Sequence, residues 1–115
     1  MVSGARPPVP LQRGDIWLAA LDPTLGSEIQ KTRPCVVVSP PEMNAHLRTI
    51  FVAPMTTGSH PAPFRIAISF QRKTGLILLD QLRSLDRQRL VKRLGTTKPA
   101  TLAALLAALQ AMFAP

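Results

Sequence analysis

The most informative segment of this chain reads Lys31-Thr32-Arg33-Pro34-Cys35-Val36-Val37-Val38-Ser39. Its apolar part, residues 35–38, is unbroken and mostly β-branched, which predicts a strand buried on both faces. Pro34 has a fixed φ and no N–H, so we expect it at the first position of that strand. It also restricts Arg33 to an extended conformation. The segment therefore predicts a guanidinium group held at the entrance to a buried strand.

The composition predicts one small globular domain. The chain has 115 residues, of which 46% are apolar and 17% charged, enough for one modest core. We expect residues 1–12, which contain Pro7, Pro8 and Pro10, to form a flexible arm, and residues 13–115 to form the domain. The single cysteine excludes an internal disulfide and favours a reducing compartment, so a cytoplasmic protein is expected. No apolar window is long enough to span a membrane.

The charge predicts anionic partners. Fourteen Lys and Arg residues stand against six Asp and Glu residues, a formal net charge of +8. This surplus favours nucleic acid, an acidic protein segment or an anionic membrane, against the alternative of a merely solvated basic surface. Five of the basic residues crowd into residues 83–93, namely Arg83, Arg87, Arg89, Lys92 and Arg93.

The periodicity predicts a mainly β fold with one C-terminal helix. Apolar runs and alternation predict strands at residues 14–21, 35–39, 49–53, 64–70, 76–79 and 90–95, and a helical turn at 42–47. Pro54 is expected to end the third strand, and residues 84–86 to form a turn. After Pro99, leucines recur at helical spacing. We expect a small curved antiparallel sheet or half-open barrel closed by this helix.

A polar connection at residues 22–32 is long for a link between two strands. Such connections often carry function, and this one leads directly into Arg33. We therefore interpret it as a lid or gate beside the guanidinium group.

No metal or cofactor site is expected. One Cys and two His residues, His46 and His60, do not have ligand spacing, and glycine-rich nucleotide motifs are absent. The two histidines could in principle act as acid and base in RNA cleavage, although lone loop histidines are usually only solvated. Cys35 opens a buried strand and is a poor candidate nucleophile.

Arg33 and Thr56 are the stronger candidates for catalysis. Each lies beside a proline at the end of a predicted strand, and the two share a sheet edge if these strands are neighbours. A guanidinium fork fits phosphate, and a threonine hydroxyl can donate to a phosphoryl oxygen. The alternative is a structural cap and a solvated arginine.

Several motifs in order carry a family resemblance. They are residues 13–17 (RGDIW), 22–24 (DPT), 26–28 (GSE), Lys31, 33–34 (RP), 36–39 (VVVS), 54–57 (PMTT), 80–81 (DQ) and 84–86 (SLD). In this order and spacing, residues 12–114 resemble the MazF/PemK/Kid family of toxin endoribonucleases.

The resemblance implies a fold, an activity and a site. The implied fold is an SH3-like barrel of the CcdB/MazF type with a C-terminal helix, acting as a homodimer. The implied activity is sequence-specific, metal-independent cleavage of single-stranded RNA, usually mRNA, which inhibits translation. The substrate's 2′-OH would attack, leaving 2′,3′-cyclic phosphate and 5′-OH ends. Arg33 and Thr56 match the catalytic positions, and the substrate-binding positions are Ser27, Glu28, Lys31, Thr57, Gln81 and Arg83.

The resemblance also implies an acidic antitoxin of the MazE type as partner, and it leaves proton transfer open. Because a guanidinium is a poor base, we expect a mainly electrostatic role for Arg33, with Glu28 or His60 as possible helpers. The turn at residues 57–63, with Pro61 and Pro63, departs from many family members, so the cleaved RNA sequence is not predicted.

Two other functions fit the same fold. One is a non-enzymatic, CcdB-like poison of DNA gyrase, and the other is an inactive RNA- or protein-binding barrel. The presence of both Arg33 and Thr56 argues against the first, and the intact set with Gln81 argues against the second.

Overall fold

The computed structural model describes residues 10–115, which form seven strands and two α-helices. Along the chain these are β1 (Asp15–Ala20), β2 (Thr32–Val37), α1 (Pro41–His46), β3 (Thr49–Thr56), β4 (Arg65–Phe70), β5 (Lys73–Leu78), β6 (Arg83–Asp86), β7 (Leu90–Thr96) and α2 (Pro99–Phe113). Two short 3-10 turns, Leu79–Gln81 and Arg87–Arg89, flank β6. Among the described residues, no helix is long and apolar enough to cross a membrane.

The strands form one curled antiparallel sheet. Its order is β4-β5-β3-β2-β1-β7, and β6 pairs with β3 beside β5. The two ends of this order approach each other where Phe70 of β4 lies over Gly95 of β7; a Cβ atom on Gly95 would come 3.2 Å from the ring. The sheet is therefore a half-open barrel, and the predicted mainly β fold with a C-terminal helix is confirmed.

The sheet separates two apolar clusters because its central strands are buried on both faces. The first cluster holds Leu11, Trp17, Ala19, Leu21, Cys35, Val37, Ile50, Val52 and Leu85. The second lies beneath α2 and holds Ile16, Val36, Val38, Ala53, Met55, Ile68, Ile77, Leu79 and Leu105. Trp17, the single tryptophan, has a buried indole N–H with no hydrogen-bond partner among the described residues. The expected burial of residues 35–38 on both faces is confirmed.

The expected position of Pro34 is wrong by two residues, because β2 begins at Thr32. Pro34 lies opposite Leu18 of β1, whereas pairing with β3 starts only at Cys35, opposite Pro54. At Pro34 the strand has a paired neighbour on one side only. A residue without an N–H is tolerated at such a position.

The expectation that Pro54 ends the third strand is also wrong, because β3 continues to Thr56. On one side β3 pairs with β6 through residues 49–52 and with β5 through residues 55–56. Pro54 falls in the interval where the partner strand changes, so its missing N–H interrupts neither ladder on that side.

Strands β5 and β6 include residues for which the sequence predicted turns or connections. Gln71 and Arg72 have positive φ values of 51° and 64°, which makes a tight two-residue hairpin, so β5 begins at Lys73. Residues 84–86 lie in strand β6, not in a turn, because they pair with β3. The other predicted elements agree with the structure to within about two residues.

The predicted arm falls mainly outside the described residues. Of the part that the structure describes, Leu11 lies in the first cluster and its carbonyl accepts a hydrogen bond of 3.0 Å from Asn44. At the other end of the domain, Lys98 is the N-cap of α2. Thr97, the residue before it, donates its hydroxyl to the Gly14 carbonyl.

Candidate active site

Arg33 and Thr56 line the same small pocket. The pairing of β2 with β3 begins with Cys35 opposite Pro54, and Arg33 and Thr56 each lie two residues beyond this pair. The pocket has a volume of about 200 Å³. Its other walls are Pro34, Met55, Thr57, Ile68, Phe70, Gln71, Lys73, Thr74 and Gly75. The two strands are neighbours, as the shared sheet edge required.

Local hydrogen bonds orient both side chains. The Arg33 Nε donates to the Gln30 carbonyl at 3.2 Å, which leaves the two terminal amino groups of the guanidinium for a ligand. The Thr56 Oγ1 accepts from the backbone N–H of Gly58 at 3.2 Å. Because that oxygen is already accepting, its own proton is directed elsewhere and can be donated to a ligand.

A glycine on β5 fixes the backbone of Thr56. Gly75 lies so close to β3 that a Cβ atom would come 2.6 Å from the Thr56 carbonyl oxygen and 3.3 Å from its carbonyl carbon. Both atoms belong to the backbone and cannot rotate away. The end of β3 can occupy this position only while residue 75 is glycine.

The pocket is positively charged. Among residues 10–115, Arg33 and Lys73 are its ionisable lining residues, and no Asp or Glu lines it. Three threonines, Thr56, Thr57 and Thr74, add hydroxyl groups. The pocket can therefore bind an anion that accepts several hydrogen bonds, such as a phosphodiester.

A second, wider cleft of about 900 Å³ is also lined by a residue of β3. Pro54 lines the cleft, whereas its chain neighbours Met55 and Thr56 line the pocket. The rest of the cleft is lined by Pro23, Thr24, Leu25, Ser27, Glu28, Ile29, Ser59, His60, Arg65, Asp80, Gln81, Leu82, Arg83 and Ser84. The structure thus brings the predicted residues Ser27, Glu28, Gln81 and Arg83 into one place.

Several of these cleft residues hold the connection between β1 and β2. The Gln81 Oε1 accepts from the Ile29 N–H at 2.7 Å. The Glu28 carboxylate accepts from the Leu25 N–H at 2.6 Å, and Arg83 donates to the Leu21 carbonyl at 3.2 Å. Gln81 keeps its amide N–H groups for a ligand while its oxygen anchors the connection.

The cleft contains an ion pair that the sequence did not single out. Arg65 donates to both carboxylate oxygens of Asp80, at 3.0 and 3.2 Å, and to the His60 carbonyl at 3.0 Å. The hydrogen bond from Arg65 is the main cause of a lowered pKa for Asp80, and the same bond raises the pKa of Arg65. Alternation in β4 could have shown that Arg65 faces away from the apolar side, but not that it meets Asp80.

Other predicted residues lie apart from the pocket of Arg33 and Thr56. Lys31 lines neither the pocket nor the cleft, and its backbone N–H donates to Asp22 at 3.0 Å. Glu28 and His60 line the cleft only. Cys35 is fully buried, and burial raises the pKa of its thiol to about 12, so it stays protonated at neutral pH.

Several arginines of the basic segment, residues 83–93, form hydrogen bonds or ion pairs within the fold. Arg87 donates to the carbonyls of Asn44 and Leu47 at 2.7 and 3.0 Å. Arg89 donates to the carbonyls of Ala20 and Asp22, and Arg93 pairs with Asp15 at 3.5 Å. These arginines therefore anchor neighbouring segments, which explains part of their crowding.

The fold and the pocket together define a small β-barrel protein that can bind an anion between the ends of adjacent strands. Residues 12–113 match the family described as "PemK-like, MazF-like toxin of type II toxin-antitoxin system". The chain belongs to this toxin family, and the resemblance inferred from the motifs is confirmed. The family assignment does not favour the CcdB-like gyrase poison.

Curated relatives in this family are named as endoribonucleases. Endoribonuclease PemK of Escherichia coli is 40% identical over 81 residues, which is 66% of this chain and 61% of PemK. Endoribonuclease MazF of Staphylococcus epidermidis is 34% identical over 90 residues, covering 73% of this chain and 75% of that protein. These relatives have the enzyme class that the sequence predicted, endoribonuclease.

Solved structures show the same architecture. MazF from Deinococcus radiodurans has a TM-score of 0.80 and 25% identity, and the match covers 91% of this chain and 97% of that chain. A MazE–MazF structure from the same organism has a TM-score of 0.75 at 25% identity, covering 91% and 96%.

Proposed function

We propose that this chain is the endoribonuclease toxin of a type II toxin–antitoxin pair, which cuts single-stranded RNA, mRNA in particular, and thereby inhibits translation. The observation that carries the proposal is that Arg33 and Thr56 line one positively charged pocket, in which no carboxylate of residues 10–115 takes part. The endoribonuclease names of the relatives support the same activity.

The pocket residues act mainly by electrostatics in this proposal. The 2′-OH of the substrate attacks the adjacent phosphorus, the bond to the 5′-oxygen breaks, and 2′,3′-cyclic phosphate and 5′-OH ends result. Negative charge grows on the phosphoryl oxygens along this path. The free terminal amino groups of Arg33 and the hydroxyl of Thr56 donate to these oxygens, and such fixed donors stabilise the transition state.

Proton transfer needs a second set of groups. The attacking 2′-OH loses a proton and the leaving 5′-oxygen gains one, and a guanidinium is a poor carrier for either. The titratable candidates are Glu28 and His60 of the cleft, which would act either directly or through water.

The cleft binds the nucleotides beside the reacting phosphate. Ser27, Gln81 and Arg83 supply hydroxyl, amide and guanidinium donors there, and Thr57 lies at the pocket itself. Lys31, exposed at the start of β2, contributes to the electrostatic attraction of RNA.

We further propose a homodimer and an acidic antitoxin of the MazE type. The formal charge of +8 suits an acidic peptide as well as RNA. Support comes from Deinococcus radiodurans MazF, which has been solved in MazE–MazF structures. An antitoxin segment lying across the cleft would block RNA.

The test of the activity is cleavage of a long single-stranded RNA in EDTA, with mapping of the fragment ends. We expect discrete cuts with 5′-OH ends. Arg33→Ala and Thr56→Ala should each lower kcat about 100-fold or more, the loss seen when one transition-state donor is removed. A 2′-deoxy analogue of the cut sequence should still bind Arg33→Ala.

Matched controls are Arg48→Ala and Thr49→Ala, two exposed residues near the opposite end of β3 that line neither the pocket nor the cleft. These variants should cut at the wild-type rate. Intact RNA with the wild-type protein, or full activity in Arg33→Ala, would overturn the proposal.

A further inference from the structure

The pocket of Arg33 and Thr56 has a wall formed by the β4–β5 hairpin. Phe70, Gln71, Lys73 and Thr74 all line the pocket from this hairpin. Lys73 is exposed and takes part in neither of the two salt bridges found within residues 10–115. The wall therefore carries a cation that is available to a ligand.

The sheet topology sets Lys73 on the far side of Thr56 from Arg33. Strands β2 and β5 flank the end of β3, which carries Thr56. Thr56 pairs with Leu76 of β5, and Lys73 lies three residues before Leu76. At about 3.4 Å per residue, the backbone of Lys73 is displaced by about 10 Å along the strand from this pair.

Cross-strand pairing shows which face of the hairpin is involved. Phe70 lies opposite Lys73, and Ile68 lies opposite Gly75. Directly opposed residues share a face of the sheet, so these four share one face, whereas Thr56, opposite Leu76, lies on the other face. Thr56 is the last residue of β3, and the pocket that both Thr56 and Lys73 line extends around this end of the strand.

The charge of the two cavities differs. In the cleft, Arg65 is paired with Asp80, and Glu28 accompanies Arg83. In the pocket, no carboxylate of the described part of the chain lies beside Arg33 and Lys73. A second negative group of the substrate is therefore better matched by the pocket side than by the cleft.

We propose that Lys73 is a substrate-binding residue that holds the phosphate next to the scissile phosphate. This inference rests on the proposed RNA cleavage at Arg33 and Thr56. The backbone displacement of about 10 Å from Thr56 along β5 suits a contact with the next phosphate of the strand. The ammonium group is a flexible point charge, which suits a contact that positions the backbone without reading a base.

The test compares Lys73→Gln, Lys73→Arg and a matched control, Lys92→Gln. Lys92 is an exposed lysine of β7 that lines neither cavity. The probe is an oligoribonucleotide carrying the mapped cleavage sequence with a 2′-deoxy sugar at the reacting nucleotide. Its Kd is measured by fluorescence anisotropy across a fourfold range of salt concentration, and kcat and KM are measured on the cleavable RNA.

We expect Lys73→Gln to raise Kd and KM about two- to fivefold with little change in kcat, since exposed charge contacts are of this size. For this variant the slope of log Kd against log salt concentration should be smaller by about 0.7. Over the fourfold range of salt, binding by the wild type should therefore weaken about 2.5-fold more than binding by Lys73→Gln. Lys73→Arg should restore both values, and Lys92→Gln should match the wild type.

If the wild type cuts RNA but Lys73→Gln has the same Kd and salt slope as Lys92→Gln, the inference is overturned. Loss of kcat alone would also overturn it, because it would move Lys73 to the reacting phosphate. If the wild type cuts no RNA, the proposed function itself has failed, so the two failures are distinguishable.

Discussion

At the scale of single residues, the position of Thr56 depends on atoms that belong to other residues. Its hydroxyl accepts from the Gly58 N–H, and its carbonyl lies where a Cβ on residue 75 would collide with it. The threonine therefore has little freedom to adjust. Its environment resembles the fixed supports on which precise catalytic geometry depends.

The first prediction at this scale concerns Gly75→Ala. The new Cβ would meet the Thr56 carbonyl at 2.6 Å, so the end of β3 has to shift. We expect kcat to fall about 10- to 100-fold, the size of loss that a displacement of about 1 Å causes. Steady-state cleavage and a thermal melt would be measured together.

The comparison variant is Gly95→Ala, whose Cβ would press at 3.2 Å on the Phe70 ring, a side chain and not backbone. It should lose less activity than Gly75→Ala. Equal activity losses in the two variants, or a loss in Gly75→Ala fully explained by unfolding, would contradict the role of Gly75.

Arg33 and Thr56 were accessible from the sequence, whereas Lys73 and Gly75 were not. Arg33 and Thr56 each lie close to a proline near a strand end, and this local pattern can be recognised without knowledge of the fold. Lys73 gains its meaning only from the position of β5 next to β3. A residue whose role depends on a neighbouring strand cannot be recognised from its own sequence segment.

At the scale of elements, Pro34 and Pro54 show why strand ends could not be predicted accurately from the sequence. Pro34 and Pro54 both suggested strand ends, yet each lies inside a strand. Both occupy positions where one side of the strand has no paired neighbour. The need for an N–H is set by the neighbouring strand, and the order of strands is a tertiary property. The short strand β6 was missed for a related reason, since its pairing with β3 defines it.

The connection between β1 and β2 gives the prediction at this scale. Gln81 accepts from the Ile29 N–H at 2.7 Å and ties this connection to the turn before β6. We expect Gln81→Ala to speed hydrogen exchange in residues 22–31, because an anchoring bond is lost. Hydrogen–deuterium exchange with mass spectrometry measures this directly.

Gln81→Glu is the matched variant, since a carboxylate oxygen can still accept from Ile29. It should keep near-wild-type exchange in residues 22–31. Unchanged exchange in Gln81→Ala would show that the connection is held by other contacts, such as the packing of Ile29 on the first cluster.

At the scale of the whole molecule, the surface leaves large apolar side chains exposed at the end of α2. Phe113 is 72% exposed, Met112 is 41% exposed, and Phe51 of β3 is 40% exposed. Phe51 and Phe113 line one groove with Leu106 and Leu109. Exposed apolar groups gathered in this way are typical of an association surface.

We therefore expect the purified chain to have about twice its 12.5 kDa mass, roughly 25 kDa, in light scattering coupled to gel filtration. An acidic antitoxin peptide should bind this species and inhibit cleavage, with an affinity that falls as salt rises. A particle of 12.5 kDa at concentrations where RNA is cut would contradict the proposed homodimer.

The two apolar clusters on opposite faces of the sheet have an optical consequence. Trp17 is the one tryptophan of the chain and lies in the first cluster, with its indole N–H unpaired among the described residues. Its emission reports on that cluster alone. Helix α2 covers the second cluster, to which the pocket residues Met55 and Ile68 belong. We therefore expect the tryptophan emission to stay unchanged if the helix detaches, so the proposed RNA site could lose its support while the emission spectrum still looks native.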